Sequence, residues 1–162
     1  MLANKQDKVA RPGRPGLSLK GRALKYLAAR EHSRVELTRK LAPHAESPEQ
    51  VQVVLDELEA KGLLSAQRFA ESMLHRKAAR YGAARIQAEL AQHQLPHDIA
   101  REATQALRDT EFERAHALWV RRYGEIPETP EEKARQMRFL AGRGFSGEVI
   151  RRVVRGEGFT QS

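Results

Sequence analysis

The feature that most constrains this chain is its punctuation by helix-start signals. Ser33 with Glu36, Ser47 with Pro48 and Gln50, Thr110 with Glu113, and Thr129 with Pro130 and Glu132 each read as a capping box. In such a box the hydroxyl takes an amide of the first turn, and the acid or amide three residues on reaches back. Behind each signal comes an apolar stripe at helical spacing. Val35, Leu37 and Leu41 follow the first, and Val51, Val54, Leu55 and Leu58 the second. Phe112, Leu118 and Trp119 follow the third, and Met137 and Leu140 the fourth. Ser18 starts a further helix running to about Glu31, and Ser65 opens one through Phe69, Met73 and Leu74. Helices carrying Ile86 and Leu90, then Ile99, Ala103 and Leu107, flank a turn at Leu95-Pro96. Ser146 caps a last helix, with Phe145 placed to staple onto Ile150. Gly62 reads as a left-handed C-cap, and Gly124 and Gly144 end two later helices.

The pattern predicts nine helices without a strand, and the helices repeat. Leu41, Leu90 and Leu140 sit late in a middle helix at intervals of about 50 residues. Leu95 and Phe145 follow the last two at equal offsets, as do Ile99 and Val149. The expected fold is all-α: a tandem array of three three-helix repeats, spanning 17–64, 65–108 and 109–158. Residues 1–16, with Pro12, Gly13, Pro15 and Gly16, are expected to form a flexible basic tail.

Composition narrows the function. The 162 residues contain no cysteine, which removes disulfides and thiolate metal sites and suits a cytoplasmic location. No apolar run approaches the roughly 18 residues a membrane span requires. A net charge of +8 favours an anionic partner. The charge alternates along the chain: residues 1–30 are basic, 31–60 acidic, and the remainder mildly basic through arginine. Catalytic constellations are missing. His93 and His97 have metal-like spacing, but Pro96 and a turn separate them, and both are expected to be exposed. No phosphate-binding glycine loop or nucleophile elbow occurs. The pairs Asp56-Glu57 and Glu131-Glu132 sit where solvent or helix caps account for them. The chain therefore reads as a binding protein rather than an enzyme, with no catalytic residue, metal or cofactor.

The binding chemistry is arginine-rich. His75, Arg76, Lys77 and Arg80 place three cations on or near one helical face, with Arg85 beyond the turn. Arg135, Arg138 and Arg143, then Arg151, Arg152 and Arg155, form a second set. The candidate partner-binding residues are Arg76, Lys77, Arg80, Arg85, Arg135, Arg138, Arg143, Arg151 and Arg152. A guanidinium fork grips phosphate and carboxylate alike, so these residues do not separate nucleic acid from an acidic protein groove. The first module has the outline of a helix-turn-helix, in which the helix from Pro48 to Lys61 would enter the DNA major groove. That helix carries Glu49, Asp56, Glu57 and Glu59 and meets no cation of its own before Lys61, which argues for packing geometry without DNA readout.

Three motifs resemble the RecX regulatory proteins. Ser33-Arg34-Val35-Glu36-Leu37 to Lys40-Leu41, then Val54-Leu55-Asp56-Glu57-Leu58 and Gly62-Leu63-Leu64, is similar to their opening module. Arg68-Phe69-Ala70-Glu71-Ser72, Tyr81-Gly82, Arg85-Ile86 and Glu89-Leu90 resemble the central one. Lys133-Ala134-Arg135, Arg138-Phe139-Leu140, Arg143-Gly144-Phe145-Ser146 and Val149-Ile150 resemble the last. The likeness implies an elongated, curved array of the three repeats and a regulator that binds the RecA filament and hinders its ATPase, strand-exchange and co-protease activities; a monomer is the default expectation. Single- and double-stranded DNA are secondary, weaker partners in this reading. The alternative is a sequence-tolerant, helix-turn-helix-like DNA-binding protein that acts without RecA. Two departures stand out. Ser65-Ala66-Gln67 replace the acidic residues usual after Gly-Leu-Leu, which puts any contact through an acid there in doubt. Gln94 replaces a glycine before the apolar turn residue Leu95, so that turn is expected to be strained or reshaped.

Overall fold

A computed structural model describes residues 16–158; the expected tail, all but Gly16, lies outside the described residues. Among these residues there are nine α-helices and one short 3-10 turn, and no strand. Helices α1 (Leu19–Ala29), α2 (Arg34–Leu41) and α3 (Pro48–Ala60) are followed by α4 (Ala66–Lys77), α5 (Ala83–Ala91) and α6 (His97–Asp109). Then come α7 (Glu111–Arg122), α8 (Pro130–Gly142) and α9 (Gly147–Val154). The chain divides into two compact units between Leu64 and Ser65.

In the first unit the apolar stripes of α1, α2 and α3 converge on one cluster. Ala23, Leu37, Leu41, Leu55 and Leu58 are fully buried there. The second unit holds two clusters. One, from α4–α6, centres on Phe69, Met73, Ile86 and Leu107. The other, from α7–α9, centres on Trp119, Leu140, Phe145, Ile150 and Val153. Each three-helix repeat thus buries its own core, as tandem modules do.

The caps explain why the helices begin where they do. Ser33 and Glu36 form the complete reciprocal box. Ser18, Ser47, Ser65, Thr129 and Ser146 each accept an amide of the first turn. Gln50 and Glu132 reach one residue further back than a box requires, to the amides of Glu46 and Glu128. Thr110 departs from expectation. It ends α6 and begins α7 at once, with φ −106° and ψ 2°, and its side chain caps no amide of α7. Its hydroxyl instead donates to the Ala106 carbonyl and accepts from Arg114 Nε. The missing amide partner at the start of α9 comes from another helix. The buried Glu111 accepts the Ser146 amide at 2.9 Å, the job Glu36 does locally for Ser33.

The C-termini show the same regularity. At Gly62 (φ 72°) the Gly62 amide donates to the Glu59 carbonyl and the Leu63 amide to the Leu58 carbonyl. Gly144 and Gly156 repeat this six-to-one closure. Gln94 stands four residues after Leu90, as Gly144 does after Leu140, and has φ 50°. It is the single non-glycine residue in the left-handed region among the described residues, so the strained turn expected of this departure is present.

Within the second unit the two repeats interlock. The Gly82 amide donates to the Arg143 carbonyl at 2.8 Å. A Cβ on Gly82 would lie 2.3 Å from the Gly144 backbone, and one on Gly144 would lie 2.5 Å from the Arg85 Cβ. Both glycines are therefore required by close approach. Arg114 completes the seam. Its guanidinium donates to the carbonyls of Ala78, Tyr81 and Leu107 at 2.6–2.8 Å. These carbonyls lie at or just past the ends of α4 and α6, where helix dipoles favour a cation. Burial pushes the Arg114 pKa down, opposed by Glu111 and Glu113.

Candidate partner-binding surface

Several lysines and arginines among the described residues are engaged by carboxylates, and the structure sorts the candidates on that ground. In the first unit, Arg34 reaches Asp56 at 2.7 Å and Glu59 at 3.1 Å, and Lys20 reaches Glu57 at 2.6 Å. Asp56, Glu57 and Glu59 of α3 are therefore met by cations from α1 and α2, although the sequence offered none within α3 before Lys61. Two lysines, Lys20 and Lys61, hold the half-exposed Glu57 carboxyl down to about 2. Among the nominated residues, Lys77 pairs with Glu89 across α4 and α5. Arg152 pairs with Glu157 at 2.8 Å while lying over the Phe112 ring at 4.2 Å.

Three nominated arginines come together elsewhere. Arg80 lies outside α4, in the turn that follows it, so it does not share a helical face with Arg76 and Lys77. It turns to the Tyr81 ring, 5.5 Å from its centroid. Arg85 from α5 lies over the same ring at 4.0 Å, and Arg143, which follows α8, at 5.7 Å. Arg143 also lies 5.3 Å from the Phe139 ring, where Arg122 joins at 5.5 Å. Phe139 meets Tyr123 edge-on at 5.7 Å. The result is a run of four guanidinium groups set on two half-buried rings, across the seam of the second unit. Among the described residues, none of the four is ion-paired to a carboxylate.

Arg76, Arg138 and Arg151 are exposed and stand apart from this run. Arg135 lines an open hollow of about 580 Å³ with Tyr123, Glu132 and Gln136. Sequence reasoning missed Arg122 and the two rings. Nothing in the spacing of an arginine-rich α7 sets Arg122 apart, because its partner Phe139 is on another helix.

The histidines show a further difference. His93, expected to be exposed, packs half-buried against Phe69 with ring centroids 4.5 Å apart, whereas His97 is exposed. His32 is buried beside Tyr26. Its Nδ1 donates to the Arg30 carbonyl, and its Nε2 accepts from Lys40, because a carbonyl only accepts and an ammonium only donates. Among the described residues no group of three or more His, Asp or Glu is placed to hold a metal ion. No helix among them is long and apolar enough to cross a membrane.

Comparison with known proteins places this architecture. Residues 20–58, 67–103 and 109–154 match the family models for the first, second and third three-helix domains of RecX. The regulatory protein RecX of Leptothrix cholodnii is 58% identical over 142 residues, covering 88% of this chain and 90% of that protein. That of Ralstonia pickettii is 53% identical over 143 residues, with the same coverage. The crystal structure of RecX from Lactobacillus salivarius superposes with a TM-score of 0.72 at 19% identity, covering 88% of this chain and 96% of that one. With all three domains present in the family's order, and two relatives more than half identical over nearly their whole length, the chain belongs to the RecX family of regulatory proteins.

Proposed function

We propose that this protein binds the RecA nucleoprotein filament and restrains it. Its binding lowers the filament's ATPase, strand-exchange and co-protease activities and so modulates DNA repair and recombination. The observation that carries this reading is the three RecX domains in sequence over residues 20–154. The protein acts in the cytoplasm as a monomer, by binding alone and with no cofactor of its own. A series of small modules spreads weak contacts over many partner surfaces, so affinity accumulates without a deep pocket. The nominated arginines serve as contacts. Arg80, Arg85 and Arg143 do so from the seam of the second unit, and Arg76, Arg135, Arg138 and Arg151 from exposed helix positions. Lys77 and Arg152 contribute after exchanging their present carboxylate partners.

The test is direct binding. Labelled protein is titrated with RecA filaments assembled on single-stranded DNA with a non-hydrolysable ATP analogue, and in parallel with naked DNA. Saturable binding that requires RecA is expected. Binding identical with and without RecA would instead support the DNA-binding reading.

A further inference from the structure

We propose that residues 11–15 of this chain dock as an intramolecular strap in a hollow of the first unit, between the start of α1 and the first half of α3, with Arg11 and Arg14 meeting Glu46 and Glu49. The inference stands on the geometry and charge of that unit and does not rest on the RecA reading.

The hollow measures about 530 Å³ and is open to solvent. Ser18, Leu19 and Lys20 line it from the start of α1, and Glu49, Val53 and Val54 from α3. Val53 is 66% exposed. A lone exposed valine needs no explanation, but one that shares a concave apolar surface with Leu19 and Val54 marks a seat for an apolar ligand. Charge selects the ligand further. Toward the end of α3 the acids are met, Asp56 and Glu59 by Arg34 and Glu57 by Lys20 and Lys61. At its start they are not. Glu46 and Glu49 are exposed and have no ion-pair partner among the described residues. Glu49 suits the first turn of α3, where the helix dipole favours an acid, yet that leaves the hollow beside it empty of apolar contact. The occupant that fits is basic, with compact apolar side chains.

Residues 11–15 have this chemistry and are tethered at the rim. Arg11-Pro12-Gly13-Arg14-Pro15-Gly16 is one triplet written twice. A polyproline II helix has three residues per turn, so both prolines fall on one edge and both arginines on another. The proline edge faces Leu19, Val53 and Val54, and the arginine edge faces Glu46 and Glu49. Proline fixes φ in advance, so less backbone freedom is lost on docking. The distances suit the tether. Ser18, which lines the hollow, follows Gly16 by two residues. Residues 47–54 rise about 10 Å along α3, the length of about three polyproline residues. A short tether holds such a segment at millimolar effective concentration, far above that of a second copy in dilute solution. The docked strap closes the hollow, neutralises the acidic start of α3 and competes with any outside ligand for this face.

The experiment is paramagnetic broadening of amide signals in the isotope-labelled full-length protein at low salt. The chain has no cysteine, so His44→Cys, exposed and outside the lining of the hollow, carries a single nitroxide. The amides of Arg11, Gly13 and Arg14 are expected to be strongly broadened. Glu46→Lys with Glu49→Lys is expected to lower the docked-to-free ratio at least about fivefold, because two exposed ion pairs are lost. Adding Arg11→Glu with Arg14→Glu to that pair is expected to restore the broadening, which a folding defect in α3 would not allow. Val53→Ser, at an exposed position, is expected to loosen docking through lost apolar contact. Broadening absent from the parent, or unchanged by the α3 pair, would overturn the proposal and leave mere closeness along the chain. Release without rescue by the reversed pair would overturn the assigned ion pairs. Docking in Val53→Ser equal to the parent would overturn the hollow as the seat. Broadening in a mixture of nitroxide-bearing unlabelled protein with isotope-labelled protein lacking nitroxide would overturn the strap in favour of a second copy.

Discussion

Gln94, Gly82 and His32 show how single residues carry strain, proximity and charge in this chain. Gln94 holds φ 50° at a turn whose counterpart in the next repeat is Gly144. A side chain in that region costs about 1–2 kcal/mol, partly offset by the unfolded-state entropy that a glycine would add. Gln94→Gly is therefore expected to raise stability by up to about 1 kcal/mol, read as a higher urea midpoint. A lower midpoint would contradict the strain argument. Gly82→Ala is expected to be severe. Its methyl would meet backbone 2.3 Å away that cannot swing aside, so a loss of about 3 kcal/mol is expected, with the seam between α5 and α8 disturbed. His32 gives a pH dependence. Burial lowers its pKa, Arg30 and Lys40 adding to the effect against the Arg30 carbonyl and Glu36. The neutral ring is favoured in the folded state, so stability is complete above the unfolded pKa near 6.5 and falls as pH drops below it. Glu36 acts lower. Burial raises its pKa, but Arg30 and the Ser33 amide outweigh this and hold it near 2, so its stabilisation is present above about 4.5 and lost as pH falls toward 2. The loss between pH 6.5 and 5 is expected to disappear in His32→Gln, and a persistent slope there would assign it to another group.

At the scale of the helix, start signals were legible because they are local. Ser33 and Glu36 are three residues apart, and their mutual hydrogen bonds need nothing else. Ser33→Ala is expected to cost about 1–2 kcal/mol, since the hydroxyl is buried and its amide would be orphaned. Thr110→Ala is expected to cost less, because its hydroxyl caps no amide. What the sequence hid are contacts between helices. Glu111 looks like one more first-turn acid of α7, yet it is buried and serves the start of α9. Glu111→Gln keeps one acceptor, whereas Glu111→Ala leaves the Ser146 amide without its partner. A loss of about 1–2 kcal/mol is expected for the alanine variant alone, checked by paired denaturation curves. The candidate surface divides in the same way. Arg80, Arg85 and Arg143 were visible as cations, but their gathering around Tyr81 depends on packing between α5 and α8 that no periodicity encodes. Arg122 was indistinguishable from Arg121, and Lys77 and Arg152 looked as available as Arg76 until their carboxylate partners came into view.

For the molecule as a whole, the internal period was the informative signal. Leu41, Leu90 and Leu140 mark three modules, each with a buried core of modest size. Small cores bury little surface, so a repeat protein gains stability from its neighbours as well as from within. In the second unit that neighbour term is concrete, in Gly82 against Gly144 and Arg114 across three carbonyls. The central claim is that such an array restrains a RecA filament. Its most direct test is the single-stranded-DNA-dependent ATPase of RecA filaments, titrated with this protein. The account predicts a progressive, saturating fall in ATP turnover as the protein is added. Unchanged turnover at one protein per RecA, with the protein folded and the DNA still coated by RecA, would contradict it.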